Sequence, residues 1–284
     1  MRKVENIILL VARSPMLAIG LGLLVVLVAV SVVGPLLVNG ELARIGAVVP
    51  RQPPSIDAWL GTDGQGRDVL TVLVLALPQT LQIGVIAGII GLGVGTALGL
   101  VAGFSGGYVD AAIRTIADVM MTIPGLAIMV LVASNVREMT VPLMAVIVAS
   151  LSWMVATRTV RAQTLSLRER GYIQVARLNG AGPLRLIFVE VLPNLLPYIA
   201  ASFVIAVNQA MAATVGLEAL GLGPQNTLTL GMTIYWSQLY GAILRGMWWW
   251  WAPPIVSLSL IFMSLLLVSV GLDTVFNRRG GAER

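Results

Sequence analysis

The sequence predicts an all-α, polytopic membrane protein of about six transmembrane helices. Three observations carry that prediction. Hydrophobic residues make up 57% of the chain and charged ones 11%, where a soluble domain carries about 25% charge. Apolar runs of about 20 residues recur along it, long enough as helices to cross a hydrocarbon core of about 30 Å. The arginines gather between and beyond these runs rather than within them. Backbone groups inside a bilayer must bond within their own segment, so the spans are helices.

The first run, Met16–Leu37, follows Arg2, Lys3 and Arg13. It is too long, and too far from a small-residue cleavage site, for a removed signal peptide, and is expected to remain as an anchor closing a first segment, 1–37. A mixed-polarity loop, 38–79, expected on the extracytoplasmic side, comes next, with Pro50, Pro53 and Pro54. In its LGTDGQGRDVLTVL stretch, Gly61, Gly64 and Gly66 favour turns, and Asp63, Arg67 and Asp68 are expected to form an ion-pair cluster. The stretch lacks the G-x-x-x-x-G-K-[ST] pattern of a phosphate cradle.

The transmembrane core is placed at 80–275. Its second span, Leu81–Ala102, carries Gly84, Gly88, Gly91, Gly95 and Gly99 at helical spacing, a stripe that lets neighbouring helices approach closely. The third, Val119–Ser134, is short and reaches spanning length if Arg114 and Asp118 pair at its membrane boundary. Val141–Thr157, Leu195–Leu217 and Pro253–Leu272 complete the set. Between the fourth and fifth spans Arg158, Arg161, Arg168, Arg170, Arg177 and Arg185 accumulate, and Arg278, Arg279 and Arg284 follow the sixth in a tail, 276–284. Short basic segments stay cytoplasmic, so both termini and the loop at about 158–194 are expected on that side of a prokaryotic plasma membrane.

The net charge of +5 and pI near 10.2 reflect this placement at membrane edges, with no basic soluble face for nucleic acid. Without cysteine or histidine the chain has no disulfide, thiolate or imidazole chemistry, and no catalytic, metal or cofactor site is expected.

Within the basic loop, Gly171 and the pair Gly180 and Gly182 flank a short amphipathic helix, Tyr172–Asn179, and Pro183 is placed to start another. So short a helix is marginal alone and wants a partner: either lipid headgroups or a cytoplasmic subunit.

Here the residues carry a resemblance. Gln174–Gly180, Q-V-A-x-x-x-G, followed by Leu192 and Pro193, resembles the E-A-A-x-x-x-G…L-P loop of ABC importer permeases. LGTDGQGRDVL at 60–70, AGFSGGYVDAAIRTIAD at 102–118, ARLNGAGPLRLIFVEVLPN at 176–194, LGLG at 220–223 and GLD at 271–273 resemble, in order, the C-type membrane subunit of dipeptide/oligopeptide permeases. The resemblance implies a second homologous permease subunit, two cytoplasmic ATP-binding subunits that carry the hydrolysis, and an extracytoplasmic solute-binding protein. It makes 172–182 a coupling helix docking into an ATPase groove through Tyr172, Gln174, Ala176, Arg177, Gly180 and Ala181. Arg177 and Arg185 serve either that docking or topology. The family's substrates, by resemblance, include peptides, oligosaccharides and nickel, and the choice stays open. Two positions depart from the pattern: Gln174 and Val175 replace Glu and Ala, and Thr214 stands where an acid is common.

Glu218 near a span end either faces the translocation path or caps and pairs structurally. Trp248, Trp249, Trp250 and Trp251 open the last span; an interfacial belt explains them most simply, and the alternative is stacking on sugars at the outer mouth. The competing classes are an ion-coupled secondary transporter, a channel and a membrane scaffold. The first needs ionisable groups within its spans and commonly has inverted repeats, the second a polar lining; the spans here are nearly charge-free.

Overall fold

The computed structural model describes residues 14–281, with side chains through Val275. Arg2, Lys3, Arg13 and Arg284 lie outside the described residues, and of Arg278 and Arg279 only the helical backbone is described. The described chain is helical, with an isolated bridge between Thr62 and Asp68.

Helix α1, Pro15–Leu37, starts where the Ser14 hydroxyl accepts from the Leu17 N–H and Pro15 takes the first turn, which needs no donor. After a 3-10 turn at Gly40–Ala43 and the rest of the loop, α2 runs Val69–Ser105. The Asp68 carboxylate caps it, accepting from the Thr71 N–H and hydroxyl at 2.8 and 2.6 Å. Asp68 is therefore a helix cap and does not join the expected ion-pair cluster; Asp63 and Arg67 form that pair without it, at 2.6 Å. The helix begins well before the expected boundary at residue 80. At 37 residues it is about 55 Å long and extends past any bilayer core.

The third span differs from expectation in kind. It comprises α3, Gly107–Thr122, and α4, Gly125–Ser134, bent by 77°. Pro124 explains the break, because it disfavours helical geometry at Ile123 and contributes no donor. Arg114 and Asp118 form no ion pair within 4 Å; it is Asp110 that is paired, with Arg161.

Helix α5, Val141–Arg168, packs along α2 more extensively than any other pair of helices, and the glycine stripe is the reason. A Cβ on Gly91 would stand 2.6 Å from Ser152 Cβ, and one on Gly99 would stand 2.8 Å from the Thr157 carbonyl oxygen. The upper glycine Gly88 faces Val207 instead, so a single stripe seats α2 between two neighbours.

A short helix α6, Gly171–Leu178, leads into α7, Pro183–Ala219, whose ladder widens to π geometry at Leu186–Val191, just before Pro193 withholds an N–H. Helix α8, Leu230–Leu239, is too short to span and tucks against α7 and α9. Its Thr229 cap accepts from Met232 N–H, while its buried Leu230 N–H donates to Thr80 Oγ1 of α2 at 2.9 Å. Helix α9, Trp248–Gly281, returns across the bundle and meets α1 at Gly271, where a Cβ would lie 2.6 Å from Leu17 Cβ.

Five helices have the length and hydropathy to cross a membrane, six if the bent pair counts as one. The chain is a multi-pass membrane protein with two distinct ends. One carries the 38–68 loop and the start of α9; the other, the basic end, carries Arg161, Arg168 and α6.

Candidate functional site

At the basic end, α6 has two faces. Ile173 is fully buried among Leu100, Val160, Leu186 and Leu195, seating the helix on α2, α5 and α7. Ala176 and Ala181 pack against the same cluster. Tyr172, Gln174 and Arg177 are exposed, and beside them Val175 and Leu178 present apolar side chains that are 58% and 87% exposed. Partial burial pushes the Tyr172 hydroxyl above its usual range, so it remains a donor. Two hydrogen bonds close the helix: Gly180 N–H donates to Arg177 O at 3.0 Å and Ala181 N–H to Ala176 O at 3.1 Å. That pairing is a Schellman motif, and it needs the left-handed backbone Gly180 adopts at φ +80°. The expected coupling set thus divides: Tyr172, Gln174 and Arg177 face outward, Ala176 and Ala181 inward, and Gly180 forms the turn. The outward apolar pair of Val175 and Leu178 was not read from the sequence, where Val175 figured only as a departure from the family pattern, because its exposure depends on how Ile173 orients the helix.

Two clefts flank α5. The first, of about 100 Å³ between α5 and α7, is floored by Leu92 and lined by Ser152, Thr159, Tyr198, Ser202 and Gln209. The Ser152 and Thr159 hydroxyls donate to Val148 O at 2.9 Å and Val155 O at 3.0 Å, leaving lone pairs toward the cleft. Among the described residues the side chains of Tyr198, Ser202 and Gln209 form no hydrogen bond, and Gln209 is exposed well inside the α7 span. An amide there is costly against hydrocarbon, so this face meets water or protein. The helical spacing of 198, 202, 205 and 209 was the available signal.

The second cleft, of about 430 Å³, lies between α3 and α5 at the basic end. Arg114, Thr115, Asp118, Arg158 and Arg161 line it.

Glu218 lies elsewhere. Its carboxylate is fully buried, against Gly223 and Gly231 at the start of α8. The tryptophans divide too: Trp248 is 55% exposed and Trp250 is 1% exposed. Trp250 packs so closely over the 38–68 loop that a Cβ on Gly64 would lie 2.7 Å from its ring, and Trp249 Nε1–H donates to Thr62 O at 3.2 Å. The belt expected of all four therefore fails for Trp250, whose ring is covered by the loop.

Comparison with known proteins gives a consistent result. Residues 95–280 match the family described as binding-protein-dependent transport system inner membrane component. The chain is 30% identical over 257 residues to the dipeptide transport system permease protein DppC of Bacillus subtilis, covering 89% of this chain and 79% of that one. It is 30% identical over 175 residues to the oligopeptide transport system permease protein OppC of Mycobacterium tuberculosis, covering 61% of this chain. That match spans 60% of the mycobacterial protein's length. Among solved structures, the inward-facing MetNI methionine ABC transporter superposes with a TM-score of 0.56 at 19% identity, covering 71% of this chain and 96% of that one, a likeness of fold. The chain belongs to the family of binding-protein-dependent transport system inner membrane components.

Proposed function

We propose that this chain is one of two homologous membrane subunits of an ATP-driven importer, working with two cytoplasmic ATP-binding subunits and an extracytoplasmic solute-binding protein. The observation that carries the reading is α6: a helix anchored to three spans by Ile173, locked by a Schellman turn, with Val175 and Leu178 turned outward. Such a helix transmits a push from a docked ATPase into α2, α5 and α7. The basic end is cytoplasmic by its arginines, and so are both termini.

The substrate is a peptide, as the names of the relatives suggest, and this chain's half of the path is the cleft between α5 and α7. Its lining is uncharged and presents both donors and acceptors. A peptide main chain requires that combination, and an uncharged lining accepts side chains of either sign. Glu218 and Trp250, both buried, are assigned to packing rather than to the route.

Purifying the tagged chain from native membranes in mild detergent and identifying its companions tests this reading. Stoichiometric ATP-binding subunits with a second permease are expected, and ATPase activity stimulated by peptide-loaded binding protein. Recovery of a stable chain alone, in conditions that preserve other complexes, would favour a secondary transporter or channel.

A further inference from the structure

The charged cleft between α3 and α5 is outside the proposed coupling helix and path, and its charges are arranged unevenly. Arg161 is occupied by Asp110, with its Nη2 donating to Asp110 Oδ2 at 2.6 Å. Arg114 and Arg158 make no ion pair or side-chain hydrogen bond among the described residues, and both turn to the same cavity of about 430 Å³. Thr115 adds a hydroxyl, and Asp118 is the sole acid in the lining.

The level of the cleft is fixed by two elements. Arg158 is the first charge after the apolar run Val141–Thr157 of α5, and α3 begins at the basic end directly after α2. Charged side chains avoid hydrocarbon, so the cavity sits where the phosphates of the leaflet lie. Guanidinium forks match phosphate oxygens in pairs. With Arg161 neutralised by Asp110 and one further charge offset by Asp118, the surplus suits a single negative charge, as on a phosphodiester, better than a multiply charged nucleotide.

We propose that this cleft binds a phosphodiester monoanion between Arg114 and Arg158, either the headgroup of an anionic phospholipid or a soluble phosphodiester of the same chemistry. The ligand bridges α3 to α5 beside the Asp110–Arg161 pair.

The test uses the complete importer in detergent, titrated with dihexanoyl-phosphatidylglycerol, with its deacylated headgroup glycerophosphoglycerol, and with uncharged dihexanoylglycerol, reading binding directly and thermal stability in parallel. The expected result is saturable binding of the phosphatidylglycerol, weakened on the order of tenfold in R114Q/R158Q. Equal binding of the headgroup alone identifies the soluble source, and binding only of the acylated form identifies lipid. R114K/R158K retains the charge that sets topology but loses the fork, and is expected to weaken binding by a smaller factor, which serves if the glutamine variant does not assemble. Binding of dihexanoylglycerol equal to that of the phospholipid, no binding of either phosphodiester, or affinity unchanged in both variants overturns the assignment.

Discussion

The guanidinium of Arg161 on α5 donates through Nε and Nη2 to the two carboxylate oxygens of Asp110 on α3, tying together helices whose partners lie 51 residues apart. The pair is partly shielded, with side chains 19% and 17% exposed, so it is less screened than a surface ion pair. Helix α3 has little else to hold it, since Ala117 is its only buried residue. Asp110→Asn keeps the shape but removes the charge and one acceptor. The expected loss is roughly 1–3 kcal/mol, read as a lowered midpoint in a thermal unfolding assay in detergent. A midpoint unchanged by the substitution would show that α3 is held by other contacts.

A second junction depends on a single hydroxyl. Thr80 Oγ1 donates to Ala76 O at 3.1 Å and accepts from Leu230 N–H at 2.9 Å, and every participant is buried. Thr80→Val is nearly isosteric but strands the Leu230 N–H, which costs about 1–3 kcal/mol. Thr80→Ser retains the acceptor and should stay close to wild type. Thermal midpoints of the two variants separate the hydrogen bond from the packing: a loss in Thr80→Ser with none in Thr80→Val would assign the junction to the methyl's packing instead.

These two bonds mark the limit of what the sequence made legible. Six apolar runs and the glycine stripe were readable because hydropathy and small-residue spacing are local properties, and each run lies within helix, although α2 starts earlier, at Val69, and the third run is split between two helices. The break at Pro124 was signalled by the proline but lost in a run whose composition alone reads as continuous. Pairing was not readable. Asp110, Arg114 and Asp118 are equally spaced on one helix, and only the placement of α5 selects Asp110 as the partner of Arg161. The same holds for the tryptophans: four identical neighbours differ in burial because the 38–68 loop folds over Trp250 and not over Trp248. The α5–α7 cleft was hidden because its residues are contributed by three segments, on α2, α5 and α7, far apart in the chain.

Gly180 separates folding from coupling. A Cβ at this position would meet nothing within 4 Å, so the penalty of a side chain is confined to its φ of +80°. Gly180→Val strains that left-handed turn by roughly 1–3 kcal/mol and loosens the end of α6. The bundle is expected to assemble with near-normal stability, while, on the proposed function, substrate-stimulated ATPase activity and transport fall together and basal ATP hydrolysis by the proposed ATP-binding subunits persists. Gly180→Asn, which tolerates the left-handed region, should recover most of the coupling. Full coupling in the valine variant would remove α6 from its proposed role.

The path assignment makes an opposed prediction for two sets of residues. Gln209 is exposed in mid-span, and its amide has no partner among the described residues, so Gln209→Leu removes hydrogen-bonding capacity at little cost to the fold. If peptides pass between α5 and α7, transport should drop by on the order of tenfold, the equivalent of one lost hydrogen bond of about 1.4 kcal/mol at the most demanding step. Ser202→Ala, about two turns earlier on the same face, should act in the same direction. Trp250→Leu should do the reverse: the ring is 1% exposed under the loop, so its loss lowers stability by about 2–5 kcal/mol and reduces transport only in proportion to the folded protein remaining. The measurement is peptide uptake by reconstituted importer, normalised to assembled complex. Normal uptake by Gln209→Leu and Ser202→Ala, with per-complex uptake abolished in Trp250→Leu, would move the path from the α5–α7 cleft to the loop end of α9.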